Sequence, residues 1–265
     1  FSDTVRIPFA PPTLQCSALA TLDPRGVASQ EGHALVRENV LVHRVTHTKG
    51  TSTSNLFGLA MPSRSGPVVL DTLYPDKRSP MVWSVILRPA NGWWAMGALP
   101  CFDKAMYIPL LDATAFHAFV TRFYVVQLLY VEVGPTLDTM RRVPRTKTPR
   151  YCVLDTGTTY TYSAASFGSA LDRLGYDERT WYVRLALGDS RAPVVLTYNA
   201  SALRDPENPS ASVLQVSEGR TLDNFTDLFP GVDLLLLGAI MMQHCYWEFD
   251  VSGKRVGVQL LDIAP

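Results

Sequence analysis

The segment Tyr151-Cys-Val-Leu-Asp-Thr-Gly-Thr-Thr159 places an acid, hydroxyl side chains and a glycine directly after an apolar run. The run predicts a buried strand, so the Asp155 carboxylate would emerge from the interior at the strand end. A carboxylate there needs hydrogen bonds, which Thr156, the amide of Gly157 and Thr158 are placed to donate. Such a carboxylate is suited to acid–base chemistry, whereas the plainest alternative is a surface turn that starts at Asp155.

A second apolar strand ends in glycine further along the chain, at Leu236-Leu237-Gly238, and a hairpin pattern follows at Tyr246-Trp-Glu-Phe-Asp250 and Arg255-Val-Gly257. Together with Asp155-Thr-Gly-Thr158, these motifs resemble the C-terminal lobe of pepsin-like aspartic proteases over roughly residues 123–262. The order and spacing agree with that family. One departure is Ala239, where many members carry Asp after the glycine.

The resemblance extends towards the N-terminus. Leu56-Phe57-Gly58 looks like the matching hydrophobic-hydrophobic-Gly of the family's N-terminal lobe, Met81–Gly97 like the hairpin leading to the interlobe sheet, and Asp3–Ile7 like the strand after the flap. The fold implied is mostly β, a pepsin-like bilobal aspartic protease with the C-terminal lobe complete and the N-terminal lobe partial. Residues 1–122 would be the latter part of the N-terminal lobe. Residues 123–265 would form the C-terminal lobe with Asp-Thr-Gly-Thr and interlobe sheet strands.

The same resemblance implies a role for each site residue. Asp155 would be one of two catalytic carboxylates, and Thr156 would brace the loops between the lobes. Gly157 and Thr158 would hold the carboxylate and contact substrate, and Tyr160 would border the subsites. The residues expected to brace the two active-site loops are Leu236, Leu237, Gly238, Leu56, Phe57 and Gly58.

Peptide hydrolysis by this class needs two carboxylates that share one proton and activate a water. Asp155 is the only acid followed by Thr-Gly, since Asp3-Thr4 continues with Val5 and Asp71-Thr72 with Leu73. We therefore expect the heavy chain of an aspartic endopeptidase that acts on peptides or proteins. An N-terminal light chain, or a missing segment, would supply the first catalytic Asp. The alternative is a noncatalytic pepsin-like binding or inhibitor module; a homodimer fits less well, because the chain carries parts of both lobes.

The chain begins at Phe1 without an initiator Met or a signal peptide, so we expect a processed or trimmed product. Its composition narrows the function classes. Among 265 residues, Lys plus Arg and Asp plus Glu are both 24, so a nucleic-acid binder held by bulk charge is excluded. A hydrophobic content of 47% excludes disorder over most of the length. The longest apolar run, Leu234–Met242, is far shorter than the roughly 20 residues of a membrane span.

Four scattered cysteines leave two alternatives. They form two disulfides, with Cys152–Cys245 and Cys16–Cys101 as the pairs, or they are buried free thiols in the strand core. Two sequons, at Asn199 and Asn224, would accept glycans in a secretory lumen. We therefore expect a secretory-pathway protein, either extracellular or in an acidic lysosome-like or vacuole-like lumen.

Two further sequence features give little evidence of a function. His43 and His47 stand four apart but lie in strand and loop without a neighbouring Glu, so we expect no metal and no cofactor. The basic segment Met140–Arg150 is interpreted as a solvated hairpin loop. A long strand is expected over Phe123–Val133, a hairpin over Met81–Leu87 and Trp93–Leu99, and a helix over Ala164–Leu174.

Overall fold

The computed structural model describes residues 2–8, 34–41, 59, 61, 69–74, 78, 80–87, 93–98, 102–112, 123–144, 149–163, 165–177, 180–200, 203, 214–216, 231–243 and 245–261. The strands within them are β1 Ser2–Pro8, β2 Ala34–Leu41, β3 Val82–Ile86, β4 Trp93–Met96, β5 Met106–Pro109, β6 Tyr124–Gly134, β7 Arg141–Arg142, β8 Arg150–Leu154, β9 Thr161–Ser163, β10 Tyr182–Asp189, β11 Ala192–Asn199, β12 Leu214–Val216, β13 Asp233–Leu237, β14 Cys245–Asp250 and β15 Arg255–Leu260. The α-helices are α1 Val69–Leu73, α2 Ala165–Leu174 and α3 Ala239–Met242.

The largest sheet has the order β11-β10-β6-β8-β13-β9-β12, with β7 added to β6. Its centre is the strand β8, which pairs antiparallel with β6 and parallel with β13. Because β8 is enclosed by neighbours, Cys152, Val153 and Leu154 are all buried, which explains the continuous apolar run before Asp155.

A second, five-stranded antiparallel sheet has the order β4-β3-β14-β15-β5. Three of its strands precede residue 122 and two follow residue 244, so the chain on both sides of the expected boundary at 122 shares one sheet. The division into 1–122 and 123–265 stays a prediction. Strands β1 and β2 form a separate antiparallel pair.

One apolar core joins the two larger sheets. It contains Leu154 and Leu237 from the first sheet and Trp247 and Phe249 from the second. Trp247 and Phe249 are fully buried, so the sheets are fixed relative to each other by close packing rather than by a few surface contacts. The class expected from the sequence, mostly β with short helices, is confirmed.

The expected elements near the core are also confirmed. Strands β3 and β4 form the predicted antiparallel hairpin, and β6 occupies the predicted long strand. Helix α2 ends where Gly175 adopts a φ of +70°, and the amides of Gly175 and Tyr176 donate to the carbonyls of Asp172 and Leu171. This arrangement is a Schellman motif, which explains the stop of the helix at Leu174.

The interpretation of Met140–Arg150 as a solvated loop is wrong for Arg150. Its side chain is buried, donates to the carbonyls of Val143 and Pro144, and forms an ion pair with Asp233 at 3.4 Å. A buried guanidinium requires such partners because desolvation of an unpaired charge is costly.

Two neighbouring arginines of that segment are exposed but engaged. Arg141 donates to the carbonyl of Leu174, and Arg142 pairs with Glu132 at 3.3 Å. No helix in the described part of the chain is long and apolar enough to cross a membrane.

Candidate active site

Asp155 lies at the end of the central strand β8, where the parallel ladder with β13 continues for one more hydrogen bond. The last register pair of the ladder is Leu154 with Leu237, and the amide of Asp155 donates to the carbonyl of Leu237 at 3.0 Å. Asp155 therefore comes to lie beside Gly238. Its side chain is half-buried, whereas Val153 and Leu154 before it are buried.

Each oxygen of the Asp155 carboxylate accepts a hydrogen bond from its own loop. The amide of Gly157 donates to Oδ1 at 2.9 Å, and the hydroxyl of Thr158 donates to Oδ2 at 2.6 Å. A Cβ on residue 157 would lie 3.2 Å from Oδ1, tighter than most contacts, so glycine suits this approach. The two bonds fix the orientation of the carboxylate and leave further lone pairs on both oxygens for a second group.

The Thr158–Thr161 loop packs onto the end of β13 and the start of α3. The carbonyl of Thr158 accepts from the amide of Ala239 at 2.7 Å, and the hydroxyl of Thr161 accepts from the amide of Gly238 at 3.1 Å. A Cβ on residue 238 would lie 2.1 Å from the carbonyl oxygen of Tyr160. Only glycine permits this approach, and the turn forms with Ala239 in place of the expected Asp.

The other residues predicted from the sequence are placed as follows. Thr156 is half-buried, and Leu236 and Leu237 are buried. Tyr160 is partly buried and packs against the main core. Asn199 is half-buried at the end of β11. Those outside the described residues are Leu56, Phe57, Gly58, Asn224, Cys16, Cys101, His43 and His47.

Cys152 and Cys245 are both free and fully buried, so of the two alternatives the structure contains the thiols and not the Cys152–Cys245 disulfide. Burial raises the pKa of each thiol to about 12. Desolvation is the main cause, because the charged thiolate is disfavoured in an apolar interior.

These thiols are expected to resist alkylation by iodoacetamide at about pH 8 in the folded protein and to react fully in urea, because thiolate is nearly absent and access is blocked. Their pKa values are higher in the folded than in the unfolded chain. Their contribution to stability is therefore complete below the ordinary thiol pKa of 9.0 and is lost as the pH rises towards 12. Mass spectrometry of alkylated peptides gives the rates. Equal rates for Cys152 with and without urea would contradict this placement.

Sequence reasoning missed the polar pair that closes the other end of the β8–β13 ladder. Arg150 and Asp233 are register partners at the start of the ladder. Arg150 stands five residues before Asp155, and Asp233 stands five residues before Gly238. A slip of one residue would turn every side chain of β13 to the opposite face. Their equal spacing from Asp155 and Gly238 is the sequence feature that could have predicted this pair.

A second missed feature is the buried carboxylate of Glu248 in β14. The hydroxyl of Tyr107 donates to Oε1 at 2.8 Å, and the hydroxyl of Tyr246 donates to Oε2 at 2.9 Å. Within the described residues, no cluster of three or more His, Cys, Asp or Glu side chains that would hold a metal ion occurs.

Comparison with known proteins gives evidence for the fold. No family model matches the chain, and no curated protein matches it. Among solved structures, the aspartic proteinase from Irpex lacteus is similar with a TM-score of 0.58 and 16% identity, over 86% of this chain and 74% of that one. Basic 7S globulin from soybean is similar with a TM-score of 0.52 and 13% identity, over 72% of this chain and 54% of that one. The chain therefore has the pepsin-like aspartic proteinase fold, spanning part of the length of those proteins.

Proposed function

We propose that this chain supplies one half of the catalytic site of an aspartic endopeptidase, with Asp155 as one of two catalytic carboxylates. The main support for this proposal is the position of Asp155 at the end of β8, beside Gly238, with one hydrogen-bond donor to each carboxylate oxygen. The fold shared with an aspartic proteinase supports the reaction class but does not establish it, because one fold hosts several functions.

The chemistry requires two carboxylates that share one proton. One acts as a base towards a water between them, and the other, protonated, polarises the carbonyl of the peptide bond. Like charges at such short range cannot both ionise, so the pair titrates as a unit and activity belongs to the acid range. Gly157 and Thr158 hold Asp155 in place throughout, because their donors are part of the same loop.

The second carboxylate has to come from elsewhere. The other strongly buried carboxylates in the described residues are already engaged, Glu248 with two tyrosine hydroxyls and Asp250 with the amide of Gly253 and the guanidinium of Arg255. Asp155 carries the only Asp-Thr-Gly motif of the sequence. The partner in the proposal is therefore an N-terminal light chain, or a segment of a longer chain, with its own Asp-Thr-Gly or Asp-Ser-Gly. The substrate is a peptide or protein in an acidic compartment of the secretory route.

A second candidate function is a binding module without catalysis. It is favoured by the single Asp-Thr-Gly motif and by the similarity to a protein that is named as a globulin. Replacing Asp155 with Asn separates the two functions. Loss of acid peptide hydrolysis supports the endopeptidase, whereas unchanged binding to a protein partner by a chain that never hydrolyses peptides supports the module.

A further inference from the structure

Tyr124 is the first residue of β6 and lies next to the strand that carries the catalytic candidate. Its register partner on β8 is Leu154, the residue before Asp155. The side chain is buried, with 6% of its surface exposed. The position of Tyr124 along β6 is therefore coupled to the position of Asp155 through one antiparallel ladder.

The hydroxyl of Tyr124 joins three segments of the chain. It accepts a hydrogen bond from the indole nitrogen of Trp83 in β3 at 2.9 Å and donates to the carbonyl of Leu59 at 2.8 Å. Leu59 directly follows Leu56-Phe57-Gly58. This segment is expected to brace the loop of the second carboxylate, in the same way that the end of β13 at Gly238 contacts the Asp155 loop. The bond from Trp83 is buried and the bond to Leu59 is partly buried, so loss of either partner would leave a polar group poorly matched.

Aromatic packing holds the ring of Tyr124 in place. Trp83 stacks on Phe249 with ring centroids 4.0 Å apart, and Tyr124 meets both rings edge-on at 5.7 and 4.6 Å. Burial raises the pKa of Tyr124 well above its ordinary value, so the hydroxyl keeps the proton it donates to Leu59. The ring of Tyr124 is therefore fixed, and its hydroxyl is always a donor. Such a side chain can hold the Leu59 backbone at a constant distance from the two sheets.

We propose that Tyr124 is a positioning residue that sets the distance between Asp155 and the backbone at Leu59, and so places the second carboxylate against the first. This inference rests on the proposed function. It follows from the two hydrogen bonds of one hydroxyl, which link Trp83 and Leu59 to a strand that pairs with the Asp155 strand. Placement is critical, because a shift of about 1 Å in a catalytic group costs on the order of 10²-fold in rate.

The test is Tyr124→Phe, with Tyr198→Phe as the matched control. Tyr198 is similarly buried, at 3% exposed, but its hydroxyl has no hydrogen-bond partner among the residues that the structure describes. Tyr124→Phe is expected to speed hydrogen exchange at the Trp83 indole and in the Leu59–Met61 peptide by about tenfold or more. It is also expected to lower kcat of the complete enzyme by roughly 10- to 100-fold with KM within about twofold. Tyr198→Phe should change neither quantity.

A second variant separates positioning from general destabilisation. Trp83→Phe removes the donor to Tyr124 and part of the packing that holds its ring, so it should destabilise the protein at least as much as Tyr124→Phe. It keeps the bond from Tyr124 to Leu59, so its loss of kcat should be smaller than that of Tyr124→Phe. Unchanged exchange near Leu59 in Tyr124→Phe would overturn the inference, even in a protein that hydrolyses no peptide. An equal rise in exchange in Tyr198→Phe would also overturn it. Failure of the proposed function shows separately, as absence of hydrolysis in the wild-type complete protein.

Discussion

Replacing Asp155 with Asn in the protein complete with its second carboxylate is expected to lower kcat for acid peptide hydrolysis by about 10³-fold or more. Asn is nearly isosteric and can still accept the bond from the Gly157 amide. It cannot share a proton with a partner carboxylate or act as a base towards water. The chain should therefore fold as before and lose the chemistry. Initial rates on a fluorogenic peptide across the acid range give the measurement.

The matched control for this substitution is Asp172→Asn. Asp172 is exposed on α2, so the same chemical change occurs far from the β8–β13 ladder. Its kcat should equal that of wild type. Hydrolysis by Asp155→Asn at the wild-type rate would remove Asp155 from the mechanism, whatever the fold.

Gly238→Ala is expected to destabilise the protein by more than about 3 kcal/mol, or to prevent folding. The added Cβ would lie 2.1 Å from the carbonyl oxygen of Tyr160 and 2.8 Å from that of Thr158. Both are backbone atoms of the loop that follows Asp155, so relief requires movement of the loop itself. Urea unfolding followed by tryptophan fluorescence gives the free energy of unfolding.

Gly175→Ala is the control for the effect of replacing a glycine at a site without a close contact. Gly175 has a φ of +70° and open space where a Cβ would stand, so its replacement should cost only about 1 kcal/mol of left-handed strain. If Gly238→Ala were no less stable than Gly175→Ala, the close approach between the two loops would be absent.

The resemblance to pepsin-like proteases implied the juxtaposition of Asp155 and Gly238, and the two strand ends themselves were predictable for a physical reason. Both follow apolar runs that suit a strand enclosed on both sides, and each run ends at a residue that must leave the strand. The same signal, an apolar run bounded by turn residues, located the β3–β4 hairpin and β6.

What the sequence did not reveal depends on contacts between distant residues. The basic neighbours of Arg150 predict a solvated side chain, yet an ion pair with Asp233 and hydrogen bonds to two backbone carbonyls hold it in the interior. The sequence does not predict strand β5, because only Ile108 of its four residues is buried and the strand has no alternation of buried and exposed residues. The thiol state of Cys152 and Cys245 depends on side-chain geometry that spacing does not encode.

The most direct test of the account is a denaturing, reducing intact-mass analysis of the material that performs acid proteolysis. The account predicts this 29.3 kDa sequence together with a second chain, or a longer chain that includes it, with another Asp-Thr-Gly or Asp-Ser-Gly. That result would supply the second carboxylate that the mechanism requires. A single species of 29.3 kDa, glycans aside, would contradict the two-carboxylate account and favour the binding module.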